Sequence, residues 1–439
     1  MDLGAGPNPT EAVLGKESRM GQRNRGLRAL LALGGTALLV AAACGTTGDG
    51  DDKEVTVVGS WGGSEQESFL AMVKPWEEKT GNTVKYTGSR GLGAYLTTAV
   101  ASGTLPDLAG LPGPGEMIEF AKGGSLKPLD GVLDLDTYKA DTVSALVDLG
   151  TVDGKVVAVF IKSSVKGFIW YNTAVYDGAA PANWDAVMAT DPGSADSLWC
   201  VGLESGADSG WPGTDWVEDF VIRESGQEVY DAWVAGTTKW TDPAIKQAFE
   251  SFGEVLDASF GGATTVNSTN FGAGGNPLFT DPPGCLFHHQ ASFISDFFKE
   301  QGGAADGEFD FFVMPEIDPA YAGALTGGGD LFGLFSDKAA AKDLLKYLVT
   351  AEAQQIWANR GGFVSANTKV TTYPDAVGQK SADAITKATV FRFDGGDLMP
   401  AAMKAAFFRA MVDFAEDQGS LDSILESLDE VQATAYAPA

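Results

Sequence analysis

The strongest constraint on the fold is an alternation of short apolar strands with amphipathic helices that begins at Val55. Residues 55–58 form a short, mostly apolar run that reads as a strand. Ser60-Trp61-Gly62-Gly63 follows, then a predicted helix from Ser64 in which Phe69, Met72, Val73 and Trp76 make one apolar stripe. Ser64 and Glu67 have the spacing of a capping box. Gly81 closes the turn, residues 83–87 read as a second strand, residues 93–102 as a second helix and residues 105–109 as a third strand. That order predicts the α/β class, a mainly parallel sheet covered by helices. Ligands of such sheets sit outside the carboxyl ends of the strands, where Trp61, Gly62, Gly63 and Asp107 fall.

A chain of 439 residues exceeds one ordinary core and points to two domains. Its formal net charge of -29 makes nucleic acid and anionic membrane surfaces poor partners, because nothing releases phosphate counterions. The two histidines are adjacent, at 288 and 289, and no cysteines have metal-ligand spacing, so neither a metal site nor a cofactor is expected.

The front end reads as an address. Arg23, Arg25 and Arg28 precede an apolar run over residues 30–43, too short for the ~20 apolar residues of a spanning helix. Residues 1–43 are therefore expected to be a signal peptide, with 1–19 upstream of a true start at Met20. Ala42-Ala43-Cys44-Gly45 resembles the lipobox of bacterial lipoproteins, although Ala41 replaces the usual leucine. Cys44 is the expected lipidation site, ordinary cleavage being the alternative, and residues 44–53 form a polar tether.

Further along, Asp153-Gly154 between apolar runs predicts a two-residue hairpin. Residues 165–171 read as a strand, and Asn183 and Asp242 stand where helices begin. Trp199 to Asp219 joins Cys200, the turn Trp211-Pro212-Gly213 and a helix predicted from Thr214, with Asp215, Glu218 and Asp219 in its first turn. Trp211 either presents a flat apolar face or caps a core. Residues 261–284, rich in Gly, Pro, Asn and Thr, read as a long surface loop. If lipid consumes Cys44, Cys200 and Cys285 remain as a pair in an oxidising compartment, bridged or as two buried thiols. Gly327-Gly328-Gly329 interrupts a strand, letting backbone approach a ligand or a crossing strand closely.

In this order, Ser60-Trp61-Gly62-Gly63, Pro106-Asp107, Asp153-Gly154-Lys155, Trp170-Tyr171-Asn172, Asn183-Trp184-Asp185 and the glycine strand resemble the family 1 extracellular solute-binding proteins of carbohydrate ABC transporters. Residues 209–216, with Cys200 before and Asp281-Pro282-Pro283-Gly284-Cys285 after, are similar to its alpha-glucoside-binding branch. The resemblance implies a two-lobed, type II periplasmic-binding-protein-like fold with a hinge and an inter-lobe cleft. It places residues 54–163 and 326–371 in one lobe, and 164–325 and 372–439 in the other. It further implies a monomeric lipoprotein on the outer face of the cytoplasmic membrane that captures a sugar and passes it to permease subunits, without catalysis. Trp61, Trp211 and Trp216 would stack on a pyranose, and Asp107, Asp215, Gln290, Asp330 and Arg360 would meet its hydroxyls. Gly62, Gly63, Gly328, Gly329 and Phe363 would complete the wall. Trp216 and Asp215 have structural alternatives, as core and helix cap. The rival classes are a secreted glycoside hydrolase, which needs two carboxylates across a scissile bond, and the same fold with a non-sugar solute.

Overall fold

The structure is a computed structural model that describes residues 53–111 and 113–437. The expected signal peptide, Cys44 and all but the end of the tether lie outside them. The strands are β1 (Glu54–Gly59), β2 (Thr83–Gly88), β3 (Leu108–Leu111), β4 (Thr151–Val152), β5 (Lys155–Val156), β6 (Ala158–Val165), β7 (Phe168–Asn172), β8 (Ser197–Cys200), β9 (Cys285–Gln290), β10 (Phe309–Val313), β11 (Ala324–Leu334), β12 (Val364–Ser365) and β13 (Val390–Phe393). One sheet runs β12-β6-β11-β3-β1-β2, with β13 also on β11; a second runs β10-β7-β9-β8. Each has its own core, and the molecule is two-lobed.

Alternation along β1 builds the first lobe. Val55 and Val57 pack with Phe69, Met72, Val73 and Trp76 of the helix Gly63–Thr80, whereas Val58 packs on the other face with Leu92, Leu96 and Leu111. The capping box does not form: Gly62 is the N-cap, without a side-chain bond, and Glu65 occupies the first turn. The hairpin at Asp153-Gly154 does form, both residues having positive φ (50° and 75°), as a tight two-residue turn requires. Asn183 and Asp242 cap their helices through side-chain oxygens.

In the second lobe the helix Trp211–Glu224 starts three residues before Thr214. Gly210 precedes it at φ 107°, where a side chain would collide with the Phe408 carbonyl, and Thr214 Oγ1 donates to the Trp211 carbonyl instead of capping. Trp216, Val217, Phe220 and Val221 fill the core beside Phe249, Phe252, Phe407 and Met411. The stretch 261–284 is not a plain surface loop. It holds the helix Gly262–Ser268 and a 3-10 turn at Asn276–Phe279, and it buries Val266, Phe271 and Leu278. Cys200 and Cys285 are disulfide-bonded, with Cα atoms 5.5 Å apart on the parallel neighbours β8 and β9.

The chain leaves the first sheet at Val165 and enters the second at Phe168, through Lys166 and a left-handed Gly167 (φ 71°). β11 lies alongside β6, and its glycines reflect close packing. A Cβ on Gly329 would lie 2.7 Å from the Lys162 carbonyl oxygen, and one on Gly327 would strike the Phe391 ring.

Candidate functional site

Lys162, Ser164 and Lys166 recur at every second residue on and just past β6, so they point to one side of the strand. Asp330 and Gly328 on β11 are the register partners of Lys162 and Ser164. These residues line a cavity of about 200 Å³ at the junction of the lobes. Its polar wall also includes Glu65, Arg90, Asp208, Asp394, Asp397 and Lys404, and its apolar wall includes Trp211, Phe271, Phe293 and Phe408.

At one end Lys162 Nζ donates to Glu65 Oε1 at 2.9 Å and lies 3.9 Å from Asp330 Oδ2, while Arg90 Nη2 donates to Glu65 Oε2 at 3.3 Å. Burial works against charge on both partners. Lys162 and Arg90 nevertheless outweigh it at Glu65 and lower that carboxyl, and Glu65 and Asp330 outweigh it at Lys162 and raise that ammonium. Asp330 is pushed up by burial, partly offset by Lys162. Nearby Asp296 is pushed up to about 7, again by burial and against the pull of Lys162.

At the other end Lys166 Nζ bonds Asp215 Oδ1 at 2.5 Å and also bonds Asp394 Oδ2. Glu218 accepts from the Gly395 and Gly396 amides at 2.8 and 3.0 Å. Two carboxyls thus converge on one ammonium, with a third, Glu218, beside them. Burial raises Asp215 and Glu218 well above the usual carboxyl range, the proximity of Asp394 adding to it. Burial opposes the charge of Lys166, but Asp215 and Asp394 hold it well above its usual value. Behind it, Asp219 accepts from Arg223 at 2.5 Å, Thr326 Oγ1 at 2.6 Å and pairs with His289 Nε2 at 2.7 Å. Burial would raise Asp219, yet Arg223 and His289 hold it down at about 2. A helix this buried tolerates three acids only because each has such partners.

Of the residues expected from sequence, Trp61, Trp211, Gly328, Gly329 and Asp330 line the cavity. Trp61 does so by an edge only: it is 2% exposed and packed among Phe69, Tyr86, Phe332 and Trp357, so it offers no free stacking face. Trp211 is half-buried, with Phe271 and Phe293 beside it and Lys166 Nζ 5.5 Å from its ring centroid. Gly62 and Gly63 border an adjoining recess. Asp215 lies one shell behind the cavity, holding Lys166.

The remaining expected residues are spent elsewhere. Trp216 is core, stacked on His289 at 4.1 Å. Asp107 accepts from the Thr56 amide at 2.9 Å and Lys338 Nζ at 3.0 Å. The Gln290 side chain accepts from the Ala291 amide, Arg360 donates to Ser68 Oγ, and Phe363 stacks on Trp357 inside the first lobe. Sequence reasoning missed Glu65, Arg90, Lys162, Lys166, Phe271, Phe293, Asp394 and Lys404. Lys162 and Lys166 had a signal, as two charges four residues apart, hence on one side of a strand, within a largely apolar stretch.

Two lobes meeting over a cavity with one aromatic wall and a ring of paired charges define a cleft-type ligand-binding protein. The comparisons agree. The model of the bacterial extracellular solute-binding protein family matches residues 62–355, and this chain belongs to that family. Among its relatives is the osmoprotective compounds-binding protein GgtB of Synechocystis sp., 36% identical over 393 residues covering 86% of this chain and 93% of that protein. The alpha-glucosides-binding periplasmic protein AglE of Rhizobium meliloti is 35% identical over 390 residues, covering 84% of each. Among solved structures, a chitin oligosaccharide binding protein superposes with a TM-score of 0.77 at 21% identity, over 89% of this chain and 100% of that one. The solute receptor AcbH superposes at 0.76 with 19% identity, over 88% and 99%. At such identities these two establish the fold alone: two-lobed, α/β, with an inter-lobe cleft.

Proposed function

We propose that this protein captures a carbohydrate, an alpha-glucoside or related oligosaccharide, outside the cytoplasmic membrane and delivers it to the permease of an ABC importer. The observation that carries the reading is the cavity itself. Trp211 offers an apolar face to the C–H side of a pyranose, while Lys162, Arg90, Asp330 and Asp397 offer donors and acceptors to its hydroxyls. The names of the relatives GgtB and AglE, an osmoprotectant binder and an alpha-glucoside binder, support it. Closure brings residues 54–163 with 326–371 against residues 164–325 with 372–439, a hinge motion about Lys166-Gly167 and the start of β11. The protein acts as a monomer, held to the membrane by lipid on Cys44, and releases its ligand unchanged. Among the described residues no helix is long and apolar enough to cross a membrane.

A thermal-shift screen with mono- and disaccharides, followed by chromatography of the sugar, tests this. A sugar at 100 times its dissociation constant adds about 2.7 kcal/mol of stability and is recovered intact. Cleavage of the sugar would favour the hydrolase instead, and stabilisation only by a non-sugar solute would reassign the ligand.

A further inference from the structure

Two hollows share one wall. The inner cavity of about 200 Å³ and an outer recess of about 420 Å³ are both lined by Arg90, Ser205 and Phe271. Arg90 lies between β2 and the helix Leu92–Ser102, in the first lobe, and Phe271 belongs to the second. The guanidinium carbon of Arg90 sits 4.9 Å from the Phe271 ring centroid, and its Nη2 is held by Glu65 Oε2 at 3.3 Å. The side chain therefore spans the cleft from a buried carboxylate on one lobe to an aromatic face on the other. The Arg90 side chain remains 39% exposed, so it can be removed without opening a core.

The far side of this wall has the chemistry of the near side. Phe297 supplies an apolar surface, Glu204, Asn270 and Gln301 supply polar groups, and Gly62, Gly63 and Gly206 leave backbone accessible. Glu204 is itself fixed, accepting from Asn270 Nδ2 and the Gly206 amide at 2.7 Å each. A recess with a fixed acceptor, an amide and an aromatic edge suits a further sugar ring.

We infer that Arg90, seated on Phe271, sets the length of ligand that the cleft accepts, closing a small inner site off from an outer recess that would otherwise take further glycosyl units. This rests on the carbohydrate reading above. With the wall in place the inner site takes a short sugar. Without it the two hollows join into one groove.

Calorimetric titration of the mature chain with glucose, trehalose, maltose, maltotriose and maltotetraose provides the test. Wild type binds a one- or two-ring sugar at least tenfold more tightly than the three- and four-ring sugars. Arg90→Ala reduces that ratio at least tenfold, and Phe271→Leu, which keeps apolar bulk but removes the ring face, shifts it the same way. Adding Gln301→Trp to Arg90→Ala fills the outer recess and restores the preference for short sugars. A wild type without length preference overturns the inference, as does Arg90→Ala weakening all sugars in proportion or leaving the ratio unchanged. Binding of none of these sugars by wild type brings down the carbohydrate reading as well, which separates the two failures.

Discussion

Trp61 and Trp211 look alike in the sequence, each beside glycine in a turn, but the structure gives them opposite fates. Trp61→Ala removes a ring packed by four other aromatics and is expected to lower stability by about 3–5 kcal/mol, measured by urea unfolding. Trp211→Ala removes a half-buried ring on the cavity wall and is expected to leave the empty protein within about 1 kcal/mol of wild type. Asp219→Asn strips the counter-charge from buried Arg223 and should destabilise by about 3–5 kcal/mol at pH 7. Asp219 is held at about 2 when folded, so its contribution is present above its unfolded value of about 3.9. It is lost as pH falls through about 2. Asp296 has the opposite sign. Its folded value of about 7 means that its cost to folding is absent below about 4, builds up between about 4 and 7 as the unfolded chain ionises first, and is full above 7. Asp296→Asn should therefore raise stability by up to about 4 kcal/mol at pH 8, at ~1.4 kcal/mol for each of the roughly three tenfold steps in proton affinity, and leave it nearly unchanged at about pH 3.5. Melting curves at the two pH values check this; equal shifts at both would contradict it.

At the scale of elements, the helix Trp211–Glu224 shows what local sequence can and cannot convey. Its existence is legible, because Pro212 suits a first turn and acids follow it. Its start and the role of its acids are not. Asp215, Glu218 and Asp219 look like dipole partners at an exposed helix end, but they face Lys166, the Gly395 and Gly396 amides and Arg223 inside the molecule. Lys166 lies just past β6 and the two amides just after β13, and pairing at such separations leaves no local trace, whereas Arg223 stands one helical turn after Asp219. Caps and hairpins at Asn183, Asp242 and Asp153-Gly154 were legible because their causes lie within a few residues. The disulfide at the base of this helix's neighbours β8 and β9 closes a loop with a sequence separation of 85. Replacing both cysteines by alanine is expected to lower stability by about 2–4 kcal/mol, read from urea midpoints with and without reductant. A wild type indifferent to reductant would argue against a structural bridge.

For the whole molecule, the α/β class followed from strand–helix alternation and the two-lobed plan from the order of motifs, since both are written in consecutive residues. The lining of the cleft was only half legible. Glycines and one tryptophan advertise close approach and apolar surface, whereas Glu65, Arg90, Lys162, Lys166, Asp394 and Lys404 become a site only when two lobes meet. Lys404 also bonds Glu116 across that meeting, so the charges that surround the cavity also tie its two sides together. The central claim is that the cavity beside Trp211 holds a sugar. Titration calorimetry on wild type and Trp211→Ala, with the sugar that most stabilises the mature protein, tests it most directly. The account predicts saturable one-to-one binding to wild type and at least tenfold weaker binding to Trp211→Ala, with the melting temperatures of the empty proteins within a few degrees. Equal affinity of the two proteins, or no binding of any sugar to wild type, would contradict it.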